Sequence, residues 1–202
     1  MTTILRLDCS PVGEASYSRQ LGDEVMARLQ LKHAGATVIA RDLAANPPSP
    51  VTLSFTQHMR THPTAELAAM VPAFAESEAL IAELEATQVL VIATPMHNFT
   101  VPAVLKLWLD QVARVGRTFQ STPEGKIGSL ADRPCYICIA SGSPFSGDAA
   151  RQPDFLRPYL TAILACMGIR ELTFFQAEAA ARDPENAMAR AHAQIAEAFG
   201  DA

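Results

Sequence analysis

Basic charge is what this 202-residue chain has least to spare: 16 Lys and Arg stand against 21 Asp and Glu, a formal net charge of −5. A face that displaces counterions from nucleic-acid phosphates needs the opposite balance, so the chain is not read as a nucleic-acid binder. Any anionic ligand must then be held locally, by backbone N–H and hydroxyl groups. No apolar run approaches the roughly 20 residues that span a bilayer, and the opening stretch MTTILRLDCS lacks the basic leader and apolar length of a secretory signal. A soluble, cytoplasmic protein with no membrane partner is expected. Also missing are GxxxxGK[ST] and GxGxxG, which excludes a P-loop and a dinucleotide turn.

Cysteine is sparse too. Cys9, Cys135, Cys138 and Cys166 could form two disulfides, but a chain of this length, 49% hydrophobic, buries a core that needs no staples, and free buried thiols are expected. The pair in CYIC lies inside an apolar strand, where residues three apart face opposite sides, unlike a redox pair at a helix start. Cys9 follows a strand as in small cysteine phosphatases, yet Ala15 and Ser16 stand where their arginine belongs. His58 and His62 in HMRTH have the i, i+4 spacing of zinc ligands, but the glutamate of HExxH is absent and Pro63 follows, so no metal is expected.

What the chain does have is alternation. Strands are predicted at 4–10, 36–43, 88–95, 134–141 and 170–177, and helices at 16–35, about 65–86, 101–116, about 153–167 and about 184–199. A Pro-rich stretch interrupts the pattern after strand 2, and 117–132 reads as a polar loop. Trp108 falls in a stripe with Leu105, Leu109 and Val112, as expected of a helix that packs on the sheet or on a partner. Near-continuous apolar strands joined by helical crossovers predict one domain, 1–202, with a doubly wound, five-stranded parallel sheet and helices on both faces. Ligands of such folds lie at the carboxyl ends of the strands.

Three loops occupy those ends: CSPVGEASYSR, TPMHNFTVP and SGSPFSGD. In the first, Ser10, Ser16 and Ser18 lead into a helix start, which suits a phosphate as well as an ordinary Ser cap. In the second, Pro95 and Pro102 bracket Met96, His97, Asn98 and Phe99, a set that suits a flat heteroaromatic ring as well as a capped helix start over core side chains.

The segment PMHNFTVPAVLKLWLDQVARVGRTF closely resembles the PMYNFxxPxxLKxxxDxxxRxGxTF signature of the FMN-dependent NADH azoreductases, flavodoxin-like relatives of the NAD(P)H quinone reductases, and the resemblance runs over nearly the whole chain. It implies a flavodoxin-like fold, FMN as cofactor, NADH as electron donor and a quinone or azo compound as acceptor, by a ping-pong route through reduced FMN. It also implies a homodimer whose second subunit completes the pocket. Ser10, Ser16, Tyr17 and Ser18 take the positions that hold the FMN phosphate, and Met96, His97, Asn98 and Phe99 those that pack on the ring and its polar edge. Ser141, Gly142, Ser143 and Pro144 stand where many members have Ser-Arg-Gly-Gly; Pro144 has no N–H to give the flavin. Phe119 resembles the family's aromatic wall over the flavin, where flat substrates stack, and equally suits a loop phenylalanine buried in the core or a dimer contact; His97, tyrosine in much of the family, is a candidate proton donor or a ring-packing or solvent-exposed histidine. A flavodoxin-like electron carrier or FMN-bound sensor with a protein partner is the alternative, and a domain without cofactor a third.

Overall fold

The computed structural model describes residues 1–61 and 71–200. In chain order its elements are β1 (Thr3–Asp8), α1 (Tyr17–Lys32), β2 (Thr37–Asp42), α2 (Leu53–Thr61), α3 (Ala75–Ala86), β3 (Val89–Pro95), α4 (Ala103–Val112), β4 (Phe119–Thr122), β5 (Gly125–Gly128), β6 (Cys135–Ala140), α5 (Leu156–Met167), β7 (Leu172–Ala177) and α6 (Pro184–Phe199). Short 3-10 turns at Gly13–Ala15 and Pro72–Phe74 precede α1 and α3.

Five strands form one parallel sheet in the order β2-β1-β3-β6-β7. This is the expected α/β architecture, and the strand order reverses between β1 and β3, opening a crevice there at the carboxyl ends. The run VLVIAT of β3 is buried throughout because both of its faces are covered. Leu90 and Ile92 point into a core with Trp108, Leu105 and Leu164 of α4 and α5. Val91 and Ala93 point the other way, onto Leu21 and Val25 of α1 and Ile195 of α6. Cys135 and Cys138 divide between these same two cores, so CYIC presents its thiols to opposite faces. All four cysteines are free; Cys166 is only partly buried, against the expectation for it.

Two expectations are corrected. The segment 117–132 is not plain loop but holds the antiparallel hairpin β4–β5, paired Phe119 to Gly128 through Thr122 to Gly125. Its polar, exposed residues carry no apolar alternation, so the pairing left no periodic signal. The Pro-rich stretch likewise contains α2, started by Thr52, whose Oγ1 accepts the Phe55 N–H at 3.1 Å, and held by an edge-on contact of Phe55 with Phe74 at 4.8 Å. Of the helix expected over 65–86, the part up to residue 70 lies outside the described residues, and the helix proper starts at Ala75. His62 also lies outside them. His58 Nδ1 bonds the Ser54 carbonyl at 2.7 Å.

Among the described residues no helix is long and apolar enough to cross a membrane.

Candidate functional site

The loop after β1 is tied to the sheet by the Cys9 N–H, which donates to the Ala93 carbonyl at 2.9 Å. The Cys9 thiol itself is fully buried, and burial, with the Asp8 charge beside it, pushes its pKa far up. It is no nucleophile. Ser16, extended at φ −74° and ψ 124°, caps α1: its Oγ accepts the Arg19 N–H and lies 3.0 Å from Ser18 Oγ. Ser10, Ser16 and Ser18 are all buried and Tyr17 is half-buried. The Tyr17 and Ser18 amides, at the first positions of the helix, have no intrahelical carbonyl to bond and lie at the positive end of its dipole.

Arg19, unassigned by sequence reasoning, sits beneath this loop and donates to Asp42 Oδ2 at 2.6 Å. Burial alone would raise the Asp42 pKa, but the Arg19 guanidinium and the Ala44 and Ala45 N–H groups outweigh it and hold the carboxyl below its ordinary range. Arg19 is thereby charge-paired within the chain, although its buried Nε has no hydrogen-bond partner, and the hydroxyls and helix amides are the loop's own donors.

The loop after β3 is a closed two-residue turn. Pro95 ends the strand, the Met96 N–H still reaches the Ala140 carbonyl at 2.8 Å, and His97 and Thr100 exchange both backbone bonds at 2.9 and 3.0 Å. Between them Asn98 (φ 47°) and Phe99 (φ 74°) both lie in the left-handed region, the sign pattern of a type I′ turn. Asparagine tolerates that conformation; phenylalanine does so at a cost of about 1–2 kcal/mol, a strain characteristic of functional loops. The turn lifts Phe99 off the core, leaving it 43% exposed, with Asn98 and His97 exposed beside it. Met96 stays partly buried against the core.

The loop after β6 joins this one. Gln152 Nε2 donates to Met96 Sδ at 3.1 Å and to the Ser143 carbonyl at 3.4 Å, and the Phe155 N–H donates to the Phe99 carbonyl at 3.0 Å. Pro144 has no N–H. The next two amides, of Phe145 and Ser146, are both taken by the Glu178 carboxylate at 2.7 and 3.1 Å, and the Ser141 N–H goes to the Ala177 carbonyl at 3.0 Å. Between Ser141 and Ser146 the amides left without such a partner are those of Gly142 and Ser143, both exposed. Neither Gln152 nor Glu178 was found from sequence, since no local motif marks either.

Phe119 stands apart. It is 8% exposed on β4, with the Lys126 ammonium 4.9 Å from its ring centroid. No hydrogen bond or ring contact among the described residues links it to the three loops. The motif's Arg114 is structural: buried, it donates to Ser77 Oγ at 2.7 Å, pairs with Glu78, and lies 4.5 Å over the Phe74 ring, holding the chain after α4 onto α3.

A cavity of about 490 Å³ adjoins the second loop, lined by His97, Asn98, Val101, Lys106 and Tyr159 among others. A larger one, about 600 Å³, lies between α1 and the edge strand β2, where Arg6, Asp8, Arg19 and Asp23 mostly satisfy one another. The smaller cavity is lined by the second strand-end loop together with α4 and α5, and the larger one includes Glu14 of the first loop.

The sequence model of a family described as having a flavodoxin-like fold matches residues 2–199. A protein of Pseudomonas fluorescens named FMN-dependent NADH:quinone oxidoreductase 4 is 46% identical over 174 residues, 86% of this chain and 82% of that one. The chain belongs to this flavodoxin-like quinone oxidoreductase family. Another member, FMN-dependent NADH:quinone oxidoreductase 5 of Burkholderia lata, is 44% identical over 91% of this chain and 88% of its own. The fold matches a Bacillus anthracis FMN-dependent NADH-azoreductase solved in complex with FMN, at a TM-score of 0.83 and 20% identity over 100% of this chain and 99% of that one.

Proposed function

We propose that this protein is an FMN-dependent NADH:quinone oxidoreductase, a single domain over residues 1–202 that also reduces azo compounds. The observation that carries the reading is the His97–Thr100 turn, a strained, closed loop at the carboxyl end of β3 that leaves Asn98 and Phe99 exposed. The donor set fits FMN: hydroxyls and helix amides without a free cation suit its phosphate, while an aromatic, a thioether and an amide suit its ring.

Ser10, Ser16, Tyr17 and Ser18 hold the phosphate. Met96 and Phe99 pack on the ring, and the Asn98 amide with the Gly142 and Ser143 N–H groups faces its polar edge, where donors stabilise negative charge. Held by these residues, FMN would supply the two-electron chemistry that links NADH to a quinone or azo acceptor. His97, exposed beside the ring site, holds a proton at Nδ1 or Nε2 for the acceptor. Phe119, buried in the hairpin under Lys126 and apart from the three loops, is given no part in the pocket of its own chain. A second copy of the chain covers the exposed Phe99 and Phe155 and closes the pocket, making a homodimer; the setting is the cytoplasm, where four free thiols persist.

The purified protein should be yellow or take up added FMN, bleach with NADH under anaerobic conditions, and regain its colour on addition of a quinone. A colourless protein that ignores FMN refutes the reading. Bound FMN that NADH cannot reduce moves it to an electron carrier.

A further inference from the structure

We propose that Glu178 is a positioning residue for the cofactor: from the end of β7 it sets the shape of the loop after β6, and so decides which amides face the flavin. The inference rests on the flavoprotein reading above.

The sequence SGSPFSG has little intrinsic shape of its own, with glycines at 142 and 147. Glu178 supplies one. Its Oε2 accepts the consecutive Phe145 and Ser146 N–H groups at 2.7 and 3.1 Å, and its Oε1 accepts the Ser146 hydroxyl at 2.5 Å. Two successive amides converging on one oxygen form an anion nest, here filled by the chain's own carboxylate. Bonds to an ionised acceptor are about twice as strong as neutral ones, so three together can fix an otherwise loose loop.

Glu178 is itself held. Its carbonyl accepts from Arg190 Nη2 at 3.2 Å. The next residue, Ala179, turns back at φ 65°, a conformation that favours glycine. That turn sends the Ala180 N–H to the Ser141 carbonyl at 2.9 Å and the Ala181 N–H to the Gly142 carbonyl at 3.4 Å. The Ser141 hydroxyl closes on the Ser143 carbonyl at 2.7 Å. With 145 and 146 occupied and 144 a proline, the exposed Gly142 and Ser143 amides are the ones left in this stretch for a ligand. Glu178 thus compensates for the Pro144 departure by fixing the amides before it.

The test measures FMN dissociation constants by fluorescence quenching on the full-length protein, for wild type, Glu178→Ala and Glu178→Gln, with thermal unfolding of each apo form. Glutamine keeps the geometry, because its amide oxygen accepts both N–H groups and its NH₂ donates to the Ser146 hydroxyl. Glu178→Ala should weaken FMN binding about tenfold or more, and Glu178→Gln should restore it to within about threefold of wild type. Equal affinity in Glu178→Ala and wild type overturns the proposal, as does a Glu178→Gln variant as weak as Glu178→Ala. Should Glu178→Ala fail to fold, Ser146→Ala removes one of the three bonds, and FMN affinity unchanged in it overturns the proposal equally. A wild type that does not bind FMN instead defeats the flavoprotein reading.

Discussion

Phe99 offers a separable test of strain and contact. At φ 74° its backbone is in the left-handed region while its side chain is 43% exposed. Phe99→Ala and Phe99→Gly both delete the ring, losing up to about 1–1.5 kcal/mol of partial burial. Only glycine also relieves the backbone, by about 1–2 kcal/mol. Glycine's greater freedom in the unfolded chain offsets about 0.4–1 kcal/mol of that. The glycine variant should therefore be more stable than the alanine variant by about 0.5–1 kcal/mol, or about 1–4 °C in Tm for a chain of this length. Thermal unfolding of the apo proteins reads this difference. FMN titration of the same pair should show both weakened alike, since both lack the ring. Equal Tm values in the two variants, or an alanine variant that melts higher, would refute the claim that the turn stores backbone strain.

Gly128 is pressed against backbone: a Cβ there would lie 2.2 Å from the Gly168 nitrogen and 2.4 Å from the Met167 carbonyl carbon, neither of which can swing aside. Gly128→Ala should cost about 1–3 kcal/mol and loosen the hairpin that carries Phe119, measurable as a lowered Tm with faster amide exchange over 119–128. Thiol labelling at neutral pH should modify Cys166 first, with Cys9, Cys135 and Cys138 reacting only on unfolding, because those three are buried and burial raises their pKa values. Native-state labelling of Cys9 would contradict the buried placement. Asp42 and Asp132 have lowered pKa values: in Asp42 the Arg19 bond overcomes burial, and Asp132 accepts the Arg170, Glu171 and Arg133 N–H groups. Both are depressed on folding, so their contribution is full above the ordinary Asp value of about 3.9 and is lost as pH falls through the lower folded values. Denaturant midpoints should fall below about pH 4, and Asp132→Asn should flatten that decline.

How much could be read from the chain alone differs between the elements and the site. Local pattern determined the alternating strands and helices, because an apolar run such as VLVIA can only be a strand covered on both faces, and Pro102 and Ser16 mark helix starts by their own backbone preferences. The serine loop and the PMHNF loop were visible for the same reason: their residues are neighbours in sequence. Tertiary structure alone decided the rest. The hairpin β4–β5 has no apolar alternation; it is tied by its own pairing and by the Leu130 N–H, which donates to the Met167 carbonyl at 3.0 Å, where Gly128 lets the backbone approach Gly168 closely. The left-handed turn at Phe99 goes against that residue's own preference and persists because His97 and Thr100 close it and the Phe155 N–H bonds its carbonyl. Phe119, aromatic and in the family motif, faces Lys126 in the hairpin, a direction no spacing rule specifies. Glu178 reaches Phe145 across 33 positions and Gln152 reaches Met96 across 56, partners selected by the order β3-β6-β7 of the sheet. Periodicity records which side of an element is buried; it carries no information on which distant loop that element will meet.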